Sequence, residues 1–156
     1  MIRHLIRGAA AGAAGTTALN AVSYLDMALR GRGTSSTPED TVEKLAHSVG
    51  VEIPGDDDTR SNRLQGLGPL LGIVTGVGVG ALAGAARGLG IAPSGPSGAV
   101  LTGGAAMVGA NLPMAALGIS DPRTWSAADW LADAVPHVAY GVVTYATLAA
   151  LSGRTD

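Results

Sequence analysis

Four stretches of this sequence carry no charged residue: Gly8 to Leu25, Leu64 to Ala86, Ser97 to Ser120 and Ala134 to Gly153. The hydrocarbon core of a bilayer is roughly 30 Å thick and takes about 20 helical residues to cross, so each stretch is long enough, the first only barely. Each is rich in Ala, Gly and Thr, and the chain contains no Phe, so each inserts less favourably than a Leu-rich span. Only 14% of the 156 residues are charged while 47% are apolar, too few charges to cover a water-facing surface. The expectation is an all-α, single-domain, four-helix transmembrane bundle, residues 1–156, with spans at about 5–28, 66–87, 97–119 and 127–151.

The charges that exist are gathered in the segment 31–63, which holds four of the ten basic and seven of the twelve acidic residues. Within it "TPEDTVEKLAHSVG" carries helix punctuation: Thr37 as N-cap, Pro38 at the first helical position, Asp40 in the first turn and Gly50 after the end. Val42, Leu45, Ala46 and Val49 fall on one stripe, which predicts a short amphipathic helix between the first two spans, lying on the membrane surface or capping the bundle. The acidic run "GDDD" at 55–58 reads as a solvated turn rather than a cation site.

The last span has a marked start. Ser126 and Asp129 have capping-box spacing, and Trp125 and Trp130 occupy the positions of a hydrophobic staple. Two indoles at that point suit a membrane interface. At the other end of the chain, "MIRHLIRG" leads into a Leu-poor apolar run without a cleavage site, so it reads as a retained first span rather than a signal peptide. Arg30, Arg32, Lys44, Arg60, Arg63 and Arg123 fall on one side of such a bundle and Arg3, Arg7, Arg87 and Arg154 on the other, a bias that places both termini outside.

Gly68, Gly72, Gly76, Gly80, Gly84 and Gly88 recur at every fourth position. In water each mid-helix Gly costs about 1 kcal/mol relative to Ala, whereas in lipid small residues let helix backbones approach closely enough for dispersion to hold them. A four-residue repeat drifts about 40° per step around a helix, so this ridge needs a different partner at each end. The first span offers a matching ridge at Gly8, Gly12 and Thr16, and a second copy of the chain is a further candidate partner.

Asp129, Asp133 and His137 lie at i, i+4 and i+8, with Tyr140 and Thr144 continuing the face. Pro136 removes the amide that would bond the Ala132 carbonyl. Ionisable groups at membrane depth turn inward towards a partner or a wet cavity, so Asp133, His137, Tyr140 and Thr144 form the candidate polar site, with Asn20, Tyr24, Asp26 and Asn111 as companions. Two readings stay open. One is a proton or cation relay through His137 and Asp133; the other is structural, with Asp129 a cap, Asp133 paired to an interfacial Arg and His137 bonding between helices. A divalent-metal set of Asp133, His137 and Asp26 is short of ligands at recognisable spacing, and no metal is expected.

The absence of Cys removes disulfides and thiolate chemistry, and a net charge of -2 with mixed signs does not suggest nucleic acid. "GVGVGALAG" has no βαβ context, and GxSxG, HExxH and a Walker lysine are missing, so neither an enzyme nor a cofactor is expected. The segments "YLDMALRGRGTSSTPEDTVEKLA" and "DPRTWSAADWLADAVPHVAYG" resemble parts of small four-span integral membrane proteins of actinobacteria, a group without an assigned activity; the resemblance implies a fold and a plasma-membrane location only. The function classes that fit are permeation of a small solute or ion through a Gly-packed bundle and, as the alternative, a non-catalytic scaffold or accessory subunit. The partners expected are the lipid bilayer and either further copies of the chain or a membrane complex.

Overall fold

The computed structural model describes residues 1–93 and 95–153; Arg154, one of the cations counted above, lies outside them. Among the described residues the chain is helical without strands: α1 (Ile2–Arg30), α2 (Thr37–Ser48), α3 (Asp57–Gly88), α4 (Pro96–Ala116), a 3-10 turn (Pro122–Thr124) and α5 (Ala127–Ser152). Three of these, α3, α4 and α5, are long and apolar enough to cross a membrane. The 29 residues of α1 exceed the length of a crossing, but Thr16, Thr17, Asn20, Ser23 and Tyr24 make it more polar than the other three.

Helices α1 and α3 pack against each other, and Gly8 faces Gly80 and Gly84 while Gly12 faces Gly76 and Gly80. Rising residue numbers on one helix meet falling numbers on the other, so the pair is antiparallel. The same holds for α4 and α5, where Gly98 meets Tyr145, Gly103 meets His137 and Asn111 meets Asp133. Gly15 of α1 faces Tyr140 and Thr144 of α5, and Gly109 of α4 faces Thr75 and Val79 of α3, which closes a ring of four long helices.

Small and polar residues fill the interior. The buried residues are Gly8, Ala11, Gly12, Gly15 and Thr16 on α1, Gly68, Gly76, Gly80 and Gly84 on α3, Gly98, Gly103 and Ala106 on α4, and Pro136, His137, Tyr140, Gly141 and Thr144 on α5, with Leu64 and Leu148 the two large aliphatics among them. Most large aliphatics point outward: Val74 and Leu82, Val100, Leu101, Val108 and Leu112, Leu131, Val135, Val138 and Val142 are all exposed. Water would penalise that arrangement through the hydrophobic effect, whereas lipid tails solvate those side chains and leave close packing to the small residues. Several threonine hydroxyls are satisfied within their own helices, Thr16 donating to Gly12 O at 2.9 Å and Thr75 to Leu71 O at 2.9 Å, as a medium without hydrogen-bonding solvent demands.

The helix ends follow local chemistry, with two shifts from expectation. Thr37 is the first residue of α2 and Ser36 takes the cap position, because Pro38 with its fixed φ is accommodated at either of the first two helical positions. The acidic run is not a free turn: Asp56 caps α3, its carboxylate accepting from Thr59 N at 2.9 Å, and Asp57 and Asp58 lie in the first turn, where the helix dipole favours anions. Helix α3 therefore starts well before the apolar stretch. Ser126 and Asp129 form the capping box, and the rings of Trp125 and Trp130 meet edge to face with centroids 5.1 Å apart.

Helix α2 packs against the N-terminal half of α3, with Gly68 pressed on Pro38 and the backbone of Glu39. Its apolar stripe, Val42, Leu45, Ala46 and Val49, lines an open groove of 480 Å³ with Leu67, Leu70, Leu71 and Val74. Lys44 of α2 donates to the Leu117 carbonyl just past α4 at 3.0 Å, and Glu43 is ion-paired to Arg60 of α3.

Candidate functional site: a part-buried Asn–Asp–His cluster

The expected polar residues divide into two groups. Asp133, His137, Tyr140 and Thr144 share the inward face of α5, and α4 brings Asn111 to them: its amide donates to Asp133 Oδ2 at 2.7 Å. Asp26, by contrast, is held at the end of α1 by Arg32 at 2.7 Å and Arg30 at 3.6 Å, so the set Asp133, His137 and Asp26 does not form a metal centre, and among the described residues no three His, Cys, Asp or Glu side chains gather as one. Tyr24 is exposed and Asn20 is half-buried, both on α1.

Within the cluster, His137 Nδ1 lies 2.7 Å from Asp133 O and 3.4 Å from Asp133 Oδ1. The imidazole is thus partnered one turn back on its own helix, neither reaching across to another helix nor leaving Asp133 for an arginine. The carbonyl of Ala132, which Pro136 leaves without its usual amide donor, is one residue away from the oxygen the ring uses. Gly103 explains how α4 comes so close: a Cβ there would lie 2.6 Å from the His137 carbonyl oxygen. His137 is buried and the Asp133 side chain is 22% exposed. Asp133 lies six residues beyond the helix start at Ala127, about 9 Å along the axis at 1.5 Å per residue and about 4.5 Å past Trp130.

Deeper along the same face Tyr140 and Thr144 are fully buried. The Tyr140 hydroxyl donates to the Gly76 carbonyl at 2.5 Å, and Thr144 Oγ1 has no hydrogen-bond partner in its pocket against Gly15. The glycine ridge of α3 splits as well. Gly76, Gly80, Gly84 and Gly88 meet Thr16, Gly12, Gly8 and His4 of α1, Gly68 meets α2, and Gly72 faces open space. Four further glycines, Gly15, Gly98, Gly103 and Gly141, carry the contacts of α5 with α1 and α4 and were not part of the sequence reading. An isolated Gly within a span is the signal they offered.

An all-helical chain with three helices long and apolar enough to cross a membrane, its small residues inside and its large aliphatics outside, has the properties of a multi-pass membrane protein. Compared with known proteins, the chain matches no protein-family profile, no curated protein and no solved structure.

Proposed function

We propose that the chain crosses the plasma membrane four times, with α1 as the fourth span, and serves as a non-catalytic structural subunit of a membrane assembly, built from further copies of itself or from other membrane proteins. The filled centre of the bundle carries this reading. Tyr140 is wholly buried and tied to Gly76, Thr144 closes on Gly15, and Gly8 and Gly12 touch the backbone of α3. Backbone contacts of that kind hold a fixed shape and leave little room for a solute. Helix α1 belongs with the spans because α3 flanks it on one side and α5 on the other, and the resemblance to four-span membrane proteins favours the same count. Extraction of the native protein in mild detergent tests the role: a defined oligomer or heteromeric complex is expected, and a monomer without partners overturns it.

A second reading, permeation of protons or cations, is favoured by one observation, the buried His137 with half-buried Asp133 and Asn111 beside it. It requires that Asp133→Asn or His137→Ala abolish a proton flux in proteoliposomes while insertion is retained. Wild-type protein that carries no flux removes it.

A further inference from the structure

The six cations at the α2 end of the bundle are all engaged. Arg30 and Arg32 pair with Asp26, Arg60 with Glu43 and Arg123 with Asp121, while Lys44 and Arg63 donate to the carbonyls of Leu117 and Pro54. At the opposite end the situation is reversed. No Asp or Glu occurs in residues 1–25, 59–120 or 134–155, Asp156 lying outside the described residues, and Arg3, Arg7 and Arg87 make no ion pair or side-chain hydrogen bond among the described residues.

Packing brings together the helix ends that carry these three. The His4 ring lies against Gly88, where a Cβ would come within 2.7 Å of it, so the first turn of α1 is pressed on the last turn of α3. Arg3 and Arg7 flank His4 on α1 at i and i+4, neighbours on one helix surface, and Arg87 flanks Gly88 on α3. Around them stand large aliphatics open to the surroundings: Ile2 is 75% exposed, Ile6 64%, Leu89 61% and Ile91 71%. Unpaired guanidinium groups ringed by exposed aliphatics, at the end of apolar helices, match the boundary where acyl chains give way to phosphate headgroups. Arg suits that boundary, since its fork binds phosphate oxygens two at a time while its stem stays in the apolar layer.

We propose that Arg3, Arg7 and Arg87 form a binding site for the headgroup phosphate of an anionic phospholipid of the surrounding bilayer, an inference that rests on the membrane-spanning reading above. Each such cation near a membrane surface strengthens the attraction about fivefold, and the effect is weakened by salt. The test uses the full chain in neutral detergent with equimolar phosphatidylglycerol and phosphatidylcholine, bound lipid being counted by native mass spectrometry. The expected result is a clear excess of phosphatidylglycerol, reduced about fivefold for each Arg replaced in Arg3→Gln, Arg7→Gln and Arg87→Gln. The excess should survive Arg60→Gln with Arg123→Gln, and be reduced but not lost in the charge-keeping triple change to Lys, which keeps the attraction without the fork. Equal binding of both lipids by the wild type overturns the proposal, as does an excess that the triple Gln variant retains. Complete displacement of phosphatidylglycerol by millimolar inorganic phosphate likewise overturns it in favour of a free-phosphate site. Insertion into phosphatidylcholine vesicles separates the two levels: a chain that does not insert overturns the membrane reading as well, and one that inserts without lipid preference overturns only this site.

Discussion

The phenolic oxygen of Tyr140 donates to the main-chain carbonyl of Gly76 at 2.5 Å, joining α5 to α3 across 64 residues of sequence. The bond is possible because Gly76 has no side chain. A Cβ there would run into Thr16 Oγ1 and lie 3.4 Å from the Tyr140 ring. Tyr140→Phe keeps the ring and removes the donor, and should lower stability by about 0.5–1.5 kcal/mol. Unfolding in mixed detergent micelles measures this, and an unchanged midpoint would show that the bond contributes nothing.

Two glycines of the same ridge should respond oppositely to the same change. At Gly80 an added Cβ would meet Gly8 O and Gly12 N at 2.5 and 2.6 Å, both backbone atoms that cannot rotate away, so Gly80→Ala is expected to cost at least about 2 kcal/mol. At Gly72 there is nothing within 4 Å, and Gly72→Ala should be neutral or stabilising by up to about 1 kcal/mol through helix propensity. Thermal unfolding of the two variants side by side decides it; equal effects would mean that α1 does not pack on this ridge.

Asn111 and Asp133 should be energetically coupled. Their 2.7 Å bond joins α4 to α5, and hydrogen bonds between membrane helices average about 0.6 kcal/mol with a ceiling of about 1.7. A double-mutant cycle with Asn111→Ala and Asp133→Ala should return a coupling in that range, while strictly additive losses would show that the two side chains act independently.

Outside the membrane, Arg123 beside Asp121 holds that carboxyl below its ordinary value of 3.8, chiefly through the side-chain hydrogen bond and then through the Arg123 backbone amide. A carboxylate with a lowered folded-state value contributes stability that is complete above 3.8 and lost as pH falls through the folded value. Both groups are solvent-exposed, so the contribution is small and weakened by salt. An NMR titration should place the Asp121 midpoint below 3.8, and Arg123→Gln should move it upward. A midpoint that ignores the substitution would leave the pairing without effect.

Removing the cap of α5 should also be felt. Ser126 Oγ accepts from Asp129 N at 3.2 Å while the Asp129 carboxylate accepts from Ser126 N at 2.9 Å. Ser126→Ala breaks one half of that exchange and should cost about 0.5–2 kcal/mol, read as a lower unfolding midpoint with unchanged helix content.

Much of this architecture is legible along the chain because it depends on neighbours in sequence. Charge-free length predicts four spans, of which α3, α4 and α5 are long and apolar enough to cross, capping chemistry gives the start of α5, and i, i+4 spacing puts Asp133 and His137 on one face. The drift of a four-residue glycine repeat implies more than one partner for α3, and the contacts of Gly68 differ from those of Gly76 to Gly88. The choice of partners is a different matter. Asp26, equally eligible by composition to join Asp133, is captured by Arg32 six residues away, and Asn111 reaches Asp133 only because Gly103 and Gly141 let α4 and α5 close up. Periodicity fixes the face a residue occupies on its own helix; which face of which helix lies opposite is decided by backbone approach, where one absent Cβ admits a neighbour and one present Cβ excludes it. The unpaired state of Arg3, Arg7 and Arg87 belongs to the same class. Their number and their end of the bundle are in the sequence, but that the cations of the other end are each taken up by a carboxylate or a carbonyl, while among the described residues these three are not, emerges only once the helices are folded back on one another.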